Sequence, residues 1–493
     1  MQSASPDSSG QAGEVSDLWP DLAQERRGTE MSRSFLLVLM LSLFSLSASQ
    51  AQSTEDLQST ICQRTGKQVE WQKDAKASDQ IQGAIRALLR RTLSADVAVQ
   101  VALLNNRELQ ATFEEIGIAE ADLIEAGLLK NPIFAGDARF PNRSPSGTDI
   151  EMSIAQEFFD LLVIPLRKKV AAAQLAKTKL RVGDRILKLT AEVKTAFYEL
   201  QAEQQLLGRL KAINETDATA VELAQRQHEA GNINDLDLAN QQATYSQSKL
   251  DIAETSASIR ADREKLNRLM GTWGDDTAWK IDNELPELPA SDFAQQRLES
   301  LAINQRLDLA ATTGEIGALV GSLGITKTYR YVGSVEFGVD TEKETDGQRM
   351  TGPTWRLELP IFNRGQGRIA KLQAQLRQAE WRLESEAVAI RAEVREARDR
   401  LIAKRDLTSY YRDELLPERK KILELTLTHY NAMLKSPYDL LLAKQNEILA
   451  ERGYIGALRD YWIARADLER AVGGRLGSTS VETNSSFKET KNN

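Results

Sequence analysis

Hydrophobic positions along the chain keep two different periods, and the changeover between them recurs. In "TWRLELPIFNRGQGRIAKLQAQL", which begins at Thr354, Trp355, Leu357, Leu359 and Ile361 alternate with Arg356, Glu358 and Pro360. That is the period-two pattern of a strand with one apolar face. After Arg364 the pattern turns helical. It runs on for roughly sixty positions, read as free of proline, against the ~11 to 12 residues of an average soluble helix. An earlier stretch repeats the design: Ile150, Met152 and Ile154 alternate with Glu151, Ser153 and Ala155, and beyond Pro165 a helical run extends from about Leu166 to about Glu229. At 1.5 Å per residue this helix is on the order of 95 Å long, too long for a compact single domain.

Two further strands precede these. Phe134, Gly136, Ala138 and Phe140 face opposite to Ala135, Asp137 and Arg139, and Val335, Phe337 and Val339 alternate with Glu336, Gly338 and Asp340. The loops "PNRSPSG" and "TEKETDGQRMTG" complete two hairpins. The predicted unit is short helix, strand, loop, strand, very long helix, tight turn, long helix, and it occurs twice. Sequence echoes support a duplication: "NNRELQA" at Asn105 with "NQRLDLAA" at Asn304, Ala173-Gln174-Leu175 with Ala374-Gln375-Leu376, and "DLDLANQQ" at Asp235 with "YDLLLAKQ" at Tyr438. Their order and near-constant offset are the signature of internal repeats. The expected division is a polar segment over 52–92, a first repeat over 93–274, a linker over 275–300, a second repeat over 301–474 and a disordered polar tail over 475–493. The fold class is mainly α with a small β part.

Heptad spacing places the long helices against neighbours: Leu238, Tyr245, Ile252, Ile259 and Leu266 fall seven apart, as do Leu441, Ile448, Ile455 and Trp462. Each helix pair turns back at a polar tip, "EAGNINDLD" near Gly231 and "NAMLKSPYD" near Ser436. Gly231 suits a helix C-terminus, while Asn234 and Ser436 can begin the next helix by accepting backbone N–H bonds. Pro165, Pro360, Gly365 and Gly367 mark the strand-to-helix transitions.

Composition narrows the compartment. The 493 residues are 27% charged and 6% aromatic with a net charge of -8, a mix suited to long packed helices. No basic patch stands out along the sequence, so nucleic acid is not an expected partner. Residues 31–51 carry Arg33, an apolar run from Phe35 to about Leu46 and a small-x-small site ending at Ala51, which reads as an export signal. The 30 residues before it are polar and acidic; they are read as a non-native or disordered extension, with Met31 as the start. Cys62 is the sole cysteine, and a lipid anchor there is disfavoured by its distance from the apolar core. No later stretch is expected to cross a bilayer as a helix, which leaves a periplasmic protein or an outer-membrane β-barrel.

Chemistry finds little foothold. His228 and His429 are the only histidines, far apart and read as solvated helix residues. No nucleophile, metal-ligand or phosphate-loop motif is complete, and "NRGQGR" lacks the Lys-Ser/Thr of a P-loop. No enzymatic activity, cofactor or metal site is expected. Asp235, Asp237 and Asp439 fit either an acidic constriction for cations or favourable charges at helix N-termini. Four strands with open edges in lipid would leave backbone groups unpaired, so a barrel requires several copies; Glu151, Glu336, Asp340, Arg356 and Glu358 would then face a wet lumen. Soluble hairpins fit the alternation equally well.

Taken in order, "NNRELQA" and "NQRLDLAA", "AGLLKNPIF", "ELPIFNRGQGRIAKLQAQL" and the tips "HEAGNINDLDLANQQA" and "YNAMLKSPYDLLLAKQNEI" resemble the TolC-type outer-membrane efflux protein family from about Leu93 to Gly474. The resemblance implies a homotrimer whose twelve strands form one outer-membrane barrel continuous with a helical periplasmic tunnel. It implies a passive duct, a periplasmic adaptor protein and an inner-membrane pump of the RND type. Carried onto this chain, Gly231, Asn232, Asp235, Leu236 and Asp237, with Met433, Ser436, Tyr438, Asp439 and Leu440, would contact the adaptor and form the periplasmic gate. His228 stands where the first tip more often has Tyr, and Met433 where the second has Gly. The tip wording is similar to the heavy-metal and copper efflux branch. A soluble periplasmic coiled-coil scaffold or adaptor is the competing reading, which would need neither lipid-facing strands nor two full repeats.

Overall fold

A computed structural model describes residues 57–476 except 74, 141, 143–147, 291–296, 332 and 345. The chain divides after Ser59, and every element named here lies in the unit that begins at Thr60. The expected extension, the export signal, most of the loop 141–147 and the tail beyond 476 fall outside the described residues.

Helix α1 (Ala75–Leu89) precedes the first repeat, which comprises α2 (Ala95–Asn105), α3 (Arg107–Glu125), β1 (Ile133–Arg139), β2 (Asp149–Glu157), α4 (Asp160–Glu229) and α5 (Asp235–Met270). The second comprises α6 (Leu298–Gln305), α7 (Leu307–Thr328), β3 (Val335–Lys343), β4 (Arg349–Leu357), α8 (Gln366–Tyr410), α9 (Leu416–Asn431) and α10 (Pro437–Val472). From α2 and α6 onward the order is the same except that the single helix α4 of the first repeat is matched by α8, a π-helical turn and α9 in the second. The 70 residues of α4 span about 105 Å at 1.5 Å per residue. It packs against α5, α7 and α10, and α8 packs against α10 and α7. The seams between them bury Ile186, Leu200, Leu266, Leu401 and Tyr461. Truncating one such leucine to alanine costs roughly 2–5 kcal/mol.

The four strands form one antiparallel sheet in the order β1-β2-β3-β4. The two hairpins join through β2 and β3, with Ile154 opposite Val339 and Ser153 opposite Asp340. This joint couples the repeats and has no signature in either hairpin alone. A Cβ on Gly338 would lie 2.5 Å from the Ile154 carbonyl oxygen, so the central strands require glycine there.

Five readings change. The helix of the first repeat starts at Asp160, six residues earlier than expected, and Pro165 lies inside it. The first turn is held by Leu161 and Leu162 donating to the carbonyls of Phe158 and Phe159, and Pro165, the sixth residue of the helix, lacks the N–H for the bond back to Leu161, a loss confined to the second turn of a 70-residue helix. In the second repeat the ladder ends at Leu357, before Leu359, Pro360 and Ile361. Most of the expected loop "TEKETDGQRMTG" is strand, and between the strands Glu344 donates to Gln348 and Gly347 to Glu344. The long helical run is not free of proline: Pro417 sits in the first turn of α9, preceded by a π-helical turn over Tyr411–Leu415. The wider turn seats the Tyr411 ring where a Cβ on Gly453 would come within 2.6 Å, and it absorbs the missing N–H. Finally, α7 is long and apolar enough to cross a bilayer, with a mean hydropathy of 1.2 over its best window. Its Gly, Ala, Leu and Ile residues raise that value while the helix lies between α4 and α8.

Residues 275–300, expected as a linker, are packed where described. Trp279, Leu285 and Leu288 are buried, and Gln201 on α4 donates to the carbonyls of Asp282 and Glu284 at 3.1 and 2.7 Å. Trp462 stacks on Tyr198 with ring centroids 5.5 Å apart and donates through Nε1 to the Pro286 carbonyl at 2.9 Å. Tyr245 is half-buried, with the Lys249 ammonium 3.7 Å over its ring.

Candidate functional site

The two faces of the sheet differ in chemistry. Residues opposite one another share a face, so the registers gather Phe134, Ile154, Met152, Phe337, Val339, Trp355 and Leu357 on one side. All seven are exposed, Phe134 at 70% and Trp355 at 74%. The other face carries Glu151, Glu336, Asp340 and Arg356. One row across it is Asp137, Glu151 and Glu342. Like charges side by side are unfavourable, and Arg139 answers them, 2.9 Å from Asp137 and 3.8 Å from Glu151. A second row joins Glu157, Glu336 and Arg356, with the Arg356 guanidinium 2.8 Å from Glu336 and the Lys130 ammonium 2.6 Å from Glu157. Glu358, expected among the lumen residues, lies beyond β4. Its carboxylate accepts from the Ser334 hydroxyl at 3.2 Å and its N–H donates to the Ser334 carbonyl at 3.0 Å, closing the base of the hairpin.

At the strand-to-helix joins, Gly365 caps α8 with φ +70°, a left-handed conformation that favours glycine. Gly367 falls in the first turn of α8, and Pro360 lies in the segment between the ladder and the helix. Sequence reasoning missed Asp160 and Arg167, which pair at 3.0 Å in a cavity of about 1120 Å³ at the same level, also lined by Pro360, Gly365 and Gly367.

The tips lie at the other end of the helix pairs and share one backbone design. In the first, the N–H of Gly231 donates to His228 and that of Asn232 to Gln227. In the second, Met433 donates to Tyr430 and Leu434 to His429. Both are helix ends closed by a left-handed residue, with φ +72° at Gly231 and +58° at Met433. Asn234 then caps α5 by accepting from the Asp237 N–H at 2.9 Å. Ser436 caps α10 with a reciprocal box in which Asp439 accepts from the Ser436 N–H at 2.9 Å.

Their side chains differ. His228 Nε2 lies 2.7 Å from Asp235 Oδ1, so this histidine is paired with the N-terminal carboxylate of α5 rather than merely solvated. Asp439 also meets Lys435 at 3.6 Å, and its bonds from Ser436 hold the carboxyl below the usual aspartate range. The Tyr438 hydroxyl donates to Gln227 Oε1 at 2.7 Å, and Gln445 donates to Asp217 at 2.9 Å. These two bonds tie α10 to α4 across the repeats. Partial burial and the nearby Asp237 carboxylate raise the Tyr438 phenol, which keeps it a donor. Leu236 and Met433 are exposed, Met433 at 95%. Among the described residues no group of three or more His, Cys, Asp or Glu is placed to hold a metal ion.

One expectation fails in three dimensions. Arg86, Arg90, Arg91, Arg107 and Lys280 line a single groove of about 950 Å³. Three of these cations come from one short stretch and two from distant ones, so the basic patch forms only on folding.

Residues 88–272 match the outer membrane efflux protein family. The cobalt-zinc-cadmium resistance protein CzcC of Cupriavidus metallidurans is 21% identical over 386 residues, which cover 77% of this chain and 90% of that protein. The fold is similar to the crystallised CmeC outer membrane channel of Campylobacter jejuni, with a TM-score of 0.66 and 18% identity over 78% of this chain and 86% of that one. It is similar also to CusC, solved in a study of transmembrane channel formation, with a TM-score of 0.65 and 15% identity over 77% and 92%.

Proposed function

From the match of residues 88–272 to the outer membrane efflux protein family, we infer that this chain is the outer-membrane channel of a tripartite efflux system. It extends from the outer membrane into the periplasm and conducts solutes passively. The observation that carries the reading is the sheet: four strands, apolar and exposed on one face, charged on the other, with β1 and β4 open at its edges. Lipid tolerates neither open edges nor unpaired backbone groups. Three copies placed edge to edge would close twelve strands, with the rows of Asp137, Glu151 and Glu342 and of Glu157 and Glu336 facing water. The soluble scaffold reading leaves the exposed apolar face without a purpose.

The homotrimer, the periplasmic adaptor and an inner-membrane pump of the RND type complete the assembly. The tips carry adaptor contact and gating, through Gly231, Asn232, Asp235, Leu236 and Asp237 in one and Met433, Ser436, Tyr438, Asp439 and Leu440 in the other. Relatedness to a cobalt-zinc-cadmium resistance protein, together with the row of Asp137, Glu151 and Glu342, in which carboxylates outnumber Arg139, favours heavy-metal cations as cargo, since rings of carboxylates concentrate cations in a pore. Fractionation followed by an unheated denaturing gel tests the duct: an outer-membrane trimer that falls to monomer on boiling is expected. Recovery as a soluble periplasmic monomer would sink it. For the cargo, a deletion strain should become sensitive to zinc, cadmium, cobalt or copper salts, and unchanged tolerance of all four would remove the metal assignment while leaving the duct standing.

A further inference from the structure

The groove at the foot of α3 carries a cluster of cations that no step of conduction uses. Arg86, Arg90 and Arg91 come from α1 and the turn after it, Arg107 opens α3, and Lys280 comes from the segment after α5. All five are exposed. Arg86 lies 3.7 Å from Asp276, whereas Arg90, Arg91, Arg107 and Lys280 have no side-chain ion pair among the described residues. Asp275 and Asp276 also line the groove, and the cations outnumber them, so a local positive field remains.

The floor is rigid. Leu93 pairs with Ile281 in an isolated parallel bridge and its N–H donates to the Lys280 carbonyl at 2.7 Å, which fixes the two walls together. Arg263 donates to the carbonyls of Thr277 and Trp279 at 2.8 and 2.5 Å and covers the Trp279 ring at 3.8 Å. Trp279 in turn donates to Asn267 at 2.8 Å. On the rim stands Trp273, 80% exposed and held in an extended conformation ahead of the turn Gly274–Thr277.

We propose that this groove binds the carboxylate-bearing amino-sugar polymer of the cell wall, with a sugar ring stacked on Trp273 and carboxylates gripped by Arg90, Arg91, Arg107 and Lys280. This rests on the periplasmic placement inferred above. Three observations select the occupant. A lipid headgroup is out of reach: the 19 residues of α3 put Arg107 about 28 Å from the strand end of that helix. A protein partner would need an apolar centre with several anchors, and Leu89 and Trp279 are buried here, leaving one exposed aromatic face. A pyranose needs just one such face, whose amphipathic ring accepts the apolar C–H side of the sugar, and guanidinium groups match carboxylates bidentately.

The test is co-sedimentation of the purified full-length trimer in detergent with isolated cell-wall sacculi. Wild-type protein should pellet with sacculi. Trp273→Ala and the triple change Arg90→Ala, Arg91→Ala, Arg107→Ala should each weaken this by about tenfold, equivalent to 1.4 kcal/mol. Sacculi whose carboxyls are amidated should lose the protein, and muramidase fragments should compete. Variants that pellet like wild type, indifference to amidation, or wild-type protein that stays in the supernatant would each overturn the proposal. Heat-sensitive trimer migration of every variant shows that the duct is intact, so failure here is separable from failure of the channel reading.

Discussion

The two tips carry the same backbone and opposite chemistry. Each long helix ends in a left-handed residue and each returning helix starts from a side-chain cap, yet the first tip is relaxed and self-contained while the second is strained and anchored outside itself. Gly231 adopts φ +72° without penalty, and Met433 adopts +58° with a Cβ that opposes it. His228 and Asp235 pair within the first tip. Tyr438 reaches out of the second to Gln227 on the first. Duplication conserves the turn geometry, and divergence assigns one tip to carry the bond and the other to receive it. On that comparison the second tip is the member held in place by a contact it can lose.

The largest expected effect comes from removing the receiving tip. Deleting Gly231 to Leu236 should abolish efflux while leaving a heat-sensitive trimer in the outer membrane, read as loss of resistance with unchanged gel migration. Retained resistance would show that the first tip is dispensable for docking. A matched deletion of Met433 to Tyr438 that gave the same loss of resistance with the same unchanged gel migration would erase the distinction between the tips.

Next in size is the backbone contrast. Gly231→Ala places a Cβ at positive φ and should cost about 1–2 kcal/mol, raising hydrogen exchange at the Asn232 amide by roughly five- to thirtyfold. Met433→Gly removes the same strain but returns chain entropy to the unfolded state, which offsets about 0.4–1 kcal/mol, so slower exchange at the Leu434 amide by a few-fold is expected. If both substitutions slow exchange, the two turns are not equivalent in conformation.

What was legible follows from the range of each interaction. The tips read from sequence because capping is local: Asn234 and Ser436 bind the N–H three residues on, and Gly231 ends a helix by its own φ. The strands read because alternation is local too. The pairing of β2 with β3 is not, since Ile154 and Val339 are joined by geometry that neither hairpin encodes. Pro165 misled because it reads as the boundary itself, whereas the strand ends eight residues before it and the helix, already begun at Asp160, continues through it. The Tyr438–Gln227 bond and the basic groove were hidden for the same reason, being built from residues on different elements.

Smaller again is the anchor itself. Tyr438→Phe deletes one hydroxyl donor and should cost about 0.5–1.5 kcal/mol, seen as a modest rise in spontaneous conductance in planar bilayers. Gln227→Ala should do the same, and the double variant should add little, because the two changes remove one interaction. Additive leaks from the two would mean that the residues act separately and that the second tip is not held through this bond.

The smallest effect separates the caps by pH. Bonds from the Ser436 N–H and hydroxyl depress the Asp439 carboxyl, so the folded form prefers the carboxylate. The stabilisation is therefore fully present above the unfolded aspartate value of about 3.9 and fades as pH falls through the lower folded value. The Asn234 cap on the first tip uses an amide, which does not titrate. Acidification should thus loosen the Ser436 amide, once corrected for intrinsic exchange, and in a His228→Gln, Asp235→Asn background, which removes the titratable pair of the first tip, the Asp237 amide should stay unchanged. Asp439→Asn should remove the acid dependence because its amide carries no titratable proton. Equal loosening of both tips in acid would place the sensitive group elsewhere, and the capping box would then not be the feature that distinguishes the second tip.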